Sequence, residues 1–268
     1  MALTHRTRHS LRVAALGYLV ALLLVPLAMI FLRTFEQGLS AFWAQVTTPA
    51  GIAAISLSLT IVAIVVPLNV IFGLVTALAL VRGRFPGRGV VQAIVDLPFA
   101  VSPVIVGVSL ILLWGTGGWL GGLAEAGFQV IFSLPGMVLA TIFVTLPFVV
   151  REVEPVLQEI GDEQEEAAAT LGASRTQTFW RITLPAIRWG LVYGVVLTVA
   201  RALGEFGALI VVSGGVSGES QTLTLLVHAR YIDDHNVFGA YAASTVLMAF
   251  ALVTLLLMTT LDRKRDIA

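Results

Sequence analysis

Two oppositely charged residues stand four positions apart inside the apolar stretch 189–212: Arg201 and Glu205. Arg201 would offer positive potential to an anion, whereas a mutual Arg201–Glu205 pair would neutralise itself and hold this stretch against its neighbours. The spacing lets both side chains share one face of a helix, and Gly204 and Gly207 permit close helix approach. The sequence favours the self-neutralising pair over direct ligand contact and makes both residues candidates for lining a pathway.

A second pattern lies in residues 151–188, where acidic and small residues precede a Gly and a Pro. Its members are Glu166, Ala167, Ala168, Gly172, Ile182, Leu184 and Pro185. Asp162 and Glu165 have the spacing of a capping box at the start of a helix. The alanines at 167–169 favour helix, and Gly172 suits the left-handed residue that closes one. The pattern therefore predicts a short helix that ends at Gly172.

The same segment predicts a second helix. Ser174 and Gln177 repeat the capping spacing, and Pro185 is expected to limit this helix. The two helices would form a short helix-turn-helix whose small residues let a partner approach closely. The alternative is a solvated acidic connection with no partner.

Residues able to catalyse bond chemistry are scarce. The chain has no Cys, which excludes thiolate catalysis and Cys-based metal sites. Its only Lys, Lys264, does not follow a Gly-rich loop, so the chain carries no P-loop for ATP. The His and Asp residues between 228 and 235 share no helical or strand register, which argues against a metal site. The sequence predicts no catalytic residue, no metal and no cofactor on this chain.

The composition indicates a membrane protein. Of the 268 residues, 57% are hydrophobic and 12% are charged, against roughly half and about a quarter in soluble domains. The net charge is zero, so no basic field attracts nucleic acid. These values exclude a soluble enzyme, a nucleic-acid-binding module and a disordered chain.

Six apolar stretches predict an all-α membrane protein with six transmembrane helices. They are residues 13–32, 52–81, 90–114, 133–150, 189–212 and 239–261. A short re-entrant or surface helix is expected around 222–227. Residues 1–268 would then form a single polytopic membrane domain in contact with lipid.

The basic residues predict the orientation of the chain. Of the 16 Lys and Arg residues, 13 fall before the first stretch, after the second, after the fourth or after the sixth. Arg33 and Arg230 fall on the opposite side, and Arg201 lies inside the fifth stretch. Because basic residues concentrate on the cytoplasmic side, both termini and the segment 151–188 are expected in the cytoplasm.

The pattern Glu-Ala-Ala-x3-Gly-x9-Ile-x-Leu-Pro, from Glu166 to Pro185, resembles the cytoplasmic signature of the permease subunits of bacterial ATP-binding-cassette importers. This resemblance implies the type I importer permease fold over residues 52–261, with 151–188 as the loop whose coupling helix docks on an ATPase. Further segments are similar to the W-type permease of sulfate/thiosulfate importers. They are Pro67-Leu-Asn-Val-Ile-Phe-Gly73, Asp96-Leu-Pro-Phe-Ala-Val-Ser-Pro-Val104, Thr145-Leu-Pro-Phe-Val-Val-Arg-Glu152 and Arg201-Ala-Leu-Gly-Glu-Phe-Gly207.

The resemblance also implies partners. They would be a second, T-type permease, two ATPase subunits that hold ATP and Mg, and an extracytoplasmic sulfate-binding protein. Two alternatives remain open at this point. One is a molybdate or tungstate permease of the same class, because the segment around Arg201 is shared with those permeases. The other is a self-contained secondary anion transporter.

Overall fold

The computed structural model describes residues 5–265, with side chains from 11 to 261, so the first four and last three residues of the predicted domain lie outside it. Within that range the chain forms helices and connections, without a strand. The helices are α1 (His5–Leu19), continued by a π-helical turn (Val20–Leu24) into α2 (Val25–Phe35), α3 (Leu39–Val46), α4 (Pro49–Arg82), α5 (Arg88–Ala100), α6 (Pro103–Trp114), α7 (Gly121–Glu125), α8 (Leu134–Ile160), α9 (Glu163–Thr170), α10 (Arg175–Thr178), a π-helical turn (Phe179–Thr183), α11 (Leu184–Leu203), α12 (Leu209–Val212), α13 (Leu223–His228), a π-helical turn (Ala229–Asp233) and α14 (Val237–Arg265).

Five stretches of helix in the described part of the chain are long and apolar enough to cross a membrane. They are Leu11–Phe35, Pro49–Arg82, Leu134–Ile160, Arg175–Leu203 and Val237–Leu261. The pair α5 and α6 raises this number to six if it forms one bent span. The all-helical prediction is thus confirmed, and the prediction of six spans rests on how this pair is counted.

The predicted third stretch, 90–114, is not one straight helix. Helices α5 and α6 meet at an angle of 113°. Val101 and Ser102 between them are extended, with ψ near 134° at both. Pro103 accounts for the break, because a proline ring clashes with a preceding residue in helical conformation.

The centre of the bundle is the packing of α4 and α11 against α8. Gly73 of α4 and Gly194 of α11 both face Val149 of α8, whose side chain is fully buried. A Cβ at Gly73 would lie 2.7 Å from the Val149 Cβ, and one at Gly194 would lie 2.9 Å from its Cα. Small residues therefore permit the close helix approach on which packing within a bilayer depends.

A buried polar contact also joins α4 to α8. The Asn69 amide donates to Thr145 Oγ1 at 2.6 Å, and Thr145 Oγ1 in turn donates to the Thr141 carbonyl. All three residues are fully buried. Such a bond fixes the register of two helices that apolar packing alone would let slide.

The predicted fifth stretch, 189–212, ends early as a helix. Helix α11 stops at Leu203, and a turn separates it from the short helix α12. The chain then returns to the bundle through α13, close to the predicted helix at 222–227. The Leu223 amide donates to Ser58 Oγ of α4 at 2.8 Å, and Leu223 is buried. This segment is therefore part of the core and not a surface helix.

Arg230, next to α13, ties together the ends of three helices. Its Nη1 donates to the Gly239 carbonyl at 3.0 Å, and its Nη2 donates to Thr48 Oγ1 at 2.8 Å and to the Gln45 carbonyl at 3.1 Å. The side chain is buried, and this burial lowers the pKa of the guanidinium from its usual value. Arg230 thus holds the ends of α3, α4 and α14 together through hydrogen bonds to uncharged oxygen atoms.

Candidate functional site

The loop between α8 and α11 contains the first candidate site, and its turn matches the predicted shape. Gly172 has φ +85°, the left-handed conformation expected of it. The Gly172 amide donates to the Ala169 carbonyl and the Ala173 amide to the Ala168 carbonyl, both at 3.0 Å. These two bonds form a Schellman motif, which closes α9.

The second predicted capping box is also present. Ser174 Oγ accepts from the backbone N–H of Gln177 at 3.3 Å, and Gln177 Oε1 accepts from the backbone N–H of Ser174 at 2.8 Å. The box begins α10. The prediction that Pro185 limits this helix is wrong, because Pro185 lies in the first turn of α11 and the helical path continues. The π-helical turn Phe179–Thr183 precedes it, and its altered bonding accommodates the missing proline N–H.

The first capping box does not form. Asp162 stands immediately before α9, as expected, but its side chain makes no capping hydrogen bond. Glu165 instead lies 3.1 Å from Arg82 Nε and accepts from Thr183 Oγ1 at 2.8 Å. A guanidinium 83 residues away in sequence is a stronger partner than a local amide, so the carboxylate turns inward.

The predicted docking residues occupy different depths. Glu166, Ala167, Gly172 and Pro185 are exposed, whereas Ala168, Ile182 and Leu184 are partly buried. Apart from Leu171 and Ala173, the residues on either side, nothing in the described chain lies within 4 Å of a Cβ built at Gly172. The turn after α9 therefore presents backbone and small side chains that nothing else in the described chain covers.

Two apolar residues at this turn were missed by sequence reasoning. Leu171 is 88% exposed, and Trp180 is exposed as well. Leu171 follows a run of acidic and small residues, and its larger apolar side chain was the available signal. Exposed large apolar side chains beside an open turn are typical of a protein interaction surface.

The second candidate site, Arg201 and Glu205, forms an ion pair with a different geometry from the predicted one. Arg201 Nη2 lies 2.9 Å from Glu205 Oε2. The residues do not share a helix face, because α11 ends at Leu203 and Glu205 lies in the turn that follows. Glu205 Oε1 accepts from the Ala208 amide at 2.9 Å, so the carboxylate also supports the start of α12.

Burial differs sharply across this ion pair. The Glu205 side chain is fully buried, whereas 35% of the Arg201 side chain is exposed. Thr224 of α13 donates to the Glu205 carbonyl at 2.7 Å, which joins the returning segment to the pair. The arrangement therefore pairs a partly exposed Arg201 side chain with a carboxylate that is enclosed by protein.

No preformed anion site stands out beside this pair among the described residues. Phe206 and His228, whose ring centroids lie 5.3 Å apart, line a cavity of about 370 Å³ with mainly apolar walls. The described residues also contain no group of three or more His, Asp or Glu residues able to hold a metal ion. The described residues around Arg201 thus show an ion pair and an apolar cavity, and the role of Arg201 towards an anion stays a prediction.

The chain is similar to known transport proteins over most of its length. The family model described as "binding-protein-dependent transport system inner membrane component" matches residues 69–267. The "sulfate transport system permease protein CysW" of Synechocystis sp. is 47% identical over 262 residues, covering 97% of this chain and 95% of that protein. The "sulfate transport system permease protein CysT" of Synechococcus elongatus is 37% identical, covering 91% of this chain and 88% of that protein.

A solved structure shares the fold. A chain of a bacterial alginate ABC transporter, in complex with an alginate pentasaccharide-bound periplasmic protein, superposes with a TM-score of 0.77 at 20% identity. The match covers 96% of this chain and 93% of that chain. The two chains therefore share their overall fold.

Proposed function

Because the chain belongs to the family of binding-protein-dependent transport system inner membrane components, we propose that it is the permease subunit of an ATP-driven sulfate importer. It is a multi-pass inner-membrane protein and a non-catalytic subunit, like the relatives named as transport permeases. The observation that carries the mechanical part of this proposal is the uncovered turn at Gly172. The relatives named sulfate permeases, 47% identical in the case of the Synechocystis protein, support the substrate.

The orientation follows from the distribution of basic residues. We propose six transmembrane spans, with α5 and α6 as one bent span, and both termini in the cytoplasm. Residues 151–188, which join the end of α8 to α11 through α9 and α10, then form the cytoplasmic coupling loop. Arg230 and the end of α11 lie towards the opposite face.

Several partners complete the transporter. They are a second, T-type permease, two ATPase subunits that hold ATP and Mg, and an extracytoplasmic protein that delivers sulfate. The similarity to both W-type and T-type permeases supports an unlike pair of membrane subunits. The solved alginate transporter with its periplasmic protein is a precedent for the delivery protein.

The work of this chain is conformational. ATP binding closes the two ATPases and shifts the surfaces on which the coupling loops rest. Alternating access follows only if the ATP-bound and ATP-free states prefer different permease arrangements, because a ligand shifts an equilibrium solely through differential affinity. Within this chain, Glu166, Gly172 and the exposed Leu171 face the ATPase, and Ile182 and Leu184 connect the loop to α11.

Arg201 and Glu205 line the pathway between the paired permeases in this proposal. The accessible part of Arg201 attracts the sulfate dianion, and Glu205 keeps the resting pair neutral. The double variant Arg201→Gln with Glu205→Gln keeps the pair neutral but removes the positive potential, so sulfate uptake per folded complex falls. Arg201→Lys is the matched control that retains the charge. Wild-type uptake in the folded double variant would remove these residues from the pathway.

The coupling role is tested at Gly172. Leu at this position forces a bulky side chain into a left-handed backbone, at about 1–2 kcal/mol, and blocks close approach of the ATPase. Gly172→Leu should lower sulfate-stimulated ATP hydrolysis at least about tenfold, the effect of about 1.4 kcal/mol. Gly87→Leu is a matched control, with φ +90° and open space around the Cβ position. Normal co-purification with normal stimulated hydrolysis in Gly172→Leu would refute the coupling role.

Two measurements separate the alternatives. Competition of sulfate uptake by thiosulfate, molybdate and tungstate identifies the anion, and the proposal expects molybdate and tungstate to compete weakly. Uptake by this chain alone that vanadate does not inhibit would indicate a secondary transporter instead.

A further inference from the structure

Arg82, the last residue of α4, contacts three separate parts of the chain. Its Nε lies 3.1 Å from Glu165 Oε2 of α9. Its Nη1 donates to the Leu157 carbonyl at 3.2 Å, and its Nη2 donates to the Gly161 carbonyl. These carbonyls belong to the C-terminal end of α8, where the helix itself supplies no donors. One guanidinium therefore joins α4, α8 and α9.

Glu165 extends this contact to a fourth element. Its Oε1 accepts from Thr183 Oγ1 at 2.8 Å, and Thr183, which is buried, ends the π-helical turn before α11. The neighbouring acids Glu163 and Glu166 are exposed on α9, whereas Glu165 is partly buried. The acidic residues of α9 thus divide their tasks: Glu165 faces the bundle, and Glu166 faces outward.

The covalent links of the loop are weak constraints by comparison. Gly161, between α8 and α9, has φ +69°, a conformation that glycine adopts freely and leaves easily. The link to α11 runs through the π-helical turn Phe179–Thr183. Without a further contact, displacement of α9 would be absorbed at these two points and would not reach α4 or α8.

We propose that Arg82, Glu165 and Thr183 form a latch, in which these residues position the coupling loop and pass its displacement to α4 and α8 as well as to α11. The latch deepens the proposed function and rests on it, since it presumes that an ATPase moves this loop. Its three members are positioning residues, because they act through the loop and touch neither nucleotide nor sulfate.

The chemistry of the latch requires an arginine. The planar guanidinium has several N–H donors and contacts one carboxylate and two carbonyls at once, whereas a Lys ammonium is a single point charge on a flexible stem. The two side chains remain 22% and 25% exposed. The ion pair is therefore partly shielded from water.

The test uses the complete complex, reconstituted in vesicles with its sulfate-binding protein. The measured quantity is the amount of sulfate transported per ATP hydrolysed. The latch variants are Arg82→Gln, Glu165→Gln and Thr183→Val; the matched controls are Arg84→Gln, Glu163→Gln and Thr183→Ser. Each latch variant should retain ATPase co-purification and ATP hydrolysis, and the transport ratio should fall at least about fivefold, the lower end of coupling between distinct sites.

Combined variants and the conservative variant sharpen the test. The double variant Arg82→Gln with Glu165→Gln should lower the ratio by less than the two single changes combined, because both remove the Arg82–Glu165 contact. Arg82→Lys should fall between wild type and Arg82→Gln. Full additivity in the double variant would contradict a shared contact.

A second measurement does not depend on transport. Backbone hydrogen exchange at residues 163–170 should become faster in Arg82→Gln and stay unchanged in Arg84→Gln, since loss of the latch frees α9. Unchanged exchange in Arg82→Gln overturns the latch, whatever the transport assay gives. A wild-type complex that binds no ATPase refutes the proposed function. A transporting wild type alongside latch variants with an unchanged ratio refutes the latch alone.

Discussion

One arginine–glutamate pair lies near each end of helix α11, and the two pairs differ in sequence separation and in burial. Arg201 and Glu205 are four residues apart, and the carboxylate is fully buried. Arg82 and Glu165 come from distant parts of the sequence, and about a quarter of each side chain is exposed. A fully buried acid must stay paired, because separation leaves an uncompensated charge, whereas a pair in which both partners keep contact with water separates at a lower cost. The first pair therefore suits a fixed part of the molecule, and the second suits a part that moves.

The largest expected effect breaks the buried pair. Arg201→Gln leaves Glu205 enclosed without a cation, which should lower the free energy of unfolding by about 3 kcal/mol. This value is at the lower end of the range for a broken buried pair, because Arg201 itself is partly exposed. Denaturant unfolding of the purified complex measures it. The double variant with Glu205→Gln should recover more than half of the loss; a single variant as stable as wild type would contradict the comparison.

A smaller effect is expected at Arg230, which staples the same end of the bundle. Arg230→Met removes the charged donor that contacts the carbonyls of Gln45 and Gly239, and hydrogen bonds to charged groups contribute about 1.5–3 kcal/mol. Stability should fall by about 2 kcal/mol, while sulfate transported per ATP stays at the wild-type value. Arg33→Met is the matched control, because Arg33 pairs with its near neighbour Glu36 and both side chains are exposed. A changed transport ratio in Arg230→Met would show that this end takes part in coupling.

The smallest change in stability is expected at the latch. Glu165→Gln removes a partly solvated pair and should lower the free energy of unfolding by less than about 1 kcal/mol, even though it lowers the transport ratio. Denaturant unfolding beside Glu163→Gln measures the difference. A loss at Glu165 larger than the loss at Arg201 would reverse the assignment of fixed and moving parts.

The sequence predicted two local features of the turn after α9. The left-handed Gly172 and the Ser174–Gln177 capping box are local, so the pattern of residues was sufficient to place both. The apolar composition likewise predicted an all-helical chain with several long spans. These features are encoded within single turns or single segments.

Features that depend on tertiary contacts were not predictable in the same way. Glu165 leaves its expected capping position for Arg82, a partner that no local rule identifies. The apolar stretch continues to Val212, so the sequence did not predict that α11 ends at Leu203. Gly204, a residue that often ends a helix, was the available signal. Pro103 indicates a break in the helix, but the angle of 113° between α5 and α6 cannot be predicted from a proline alone. The roles predicted for Glu166 and Arg201 stay predictions.

The central claim is that the turn after α9 lies in the cytoplasm against an ATPase. Because the chain has no Cys, Leu171→Cys introduces its single thiol on the exposed side of that turn. With the complete complex in native membranes, a thiol-to-amine crosslinker should join this position to an ATP-binding-cassette subunit. An impermeant maleimide should label it only when the cytoplasmic face is accessible. Phe128→Cys, also exposed, lies between the third and fourth spans, on the outer side in the proposed orientation. It should therefore give no crosslink to an ATPase and should be labelled from outside the cell. Labelling of position 171 from outside the cell, or no crosslink to an ATPase, would contradict the account.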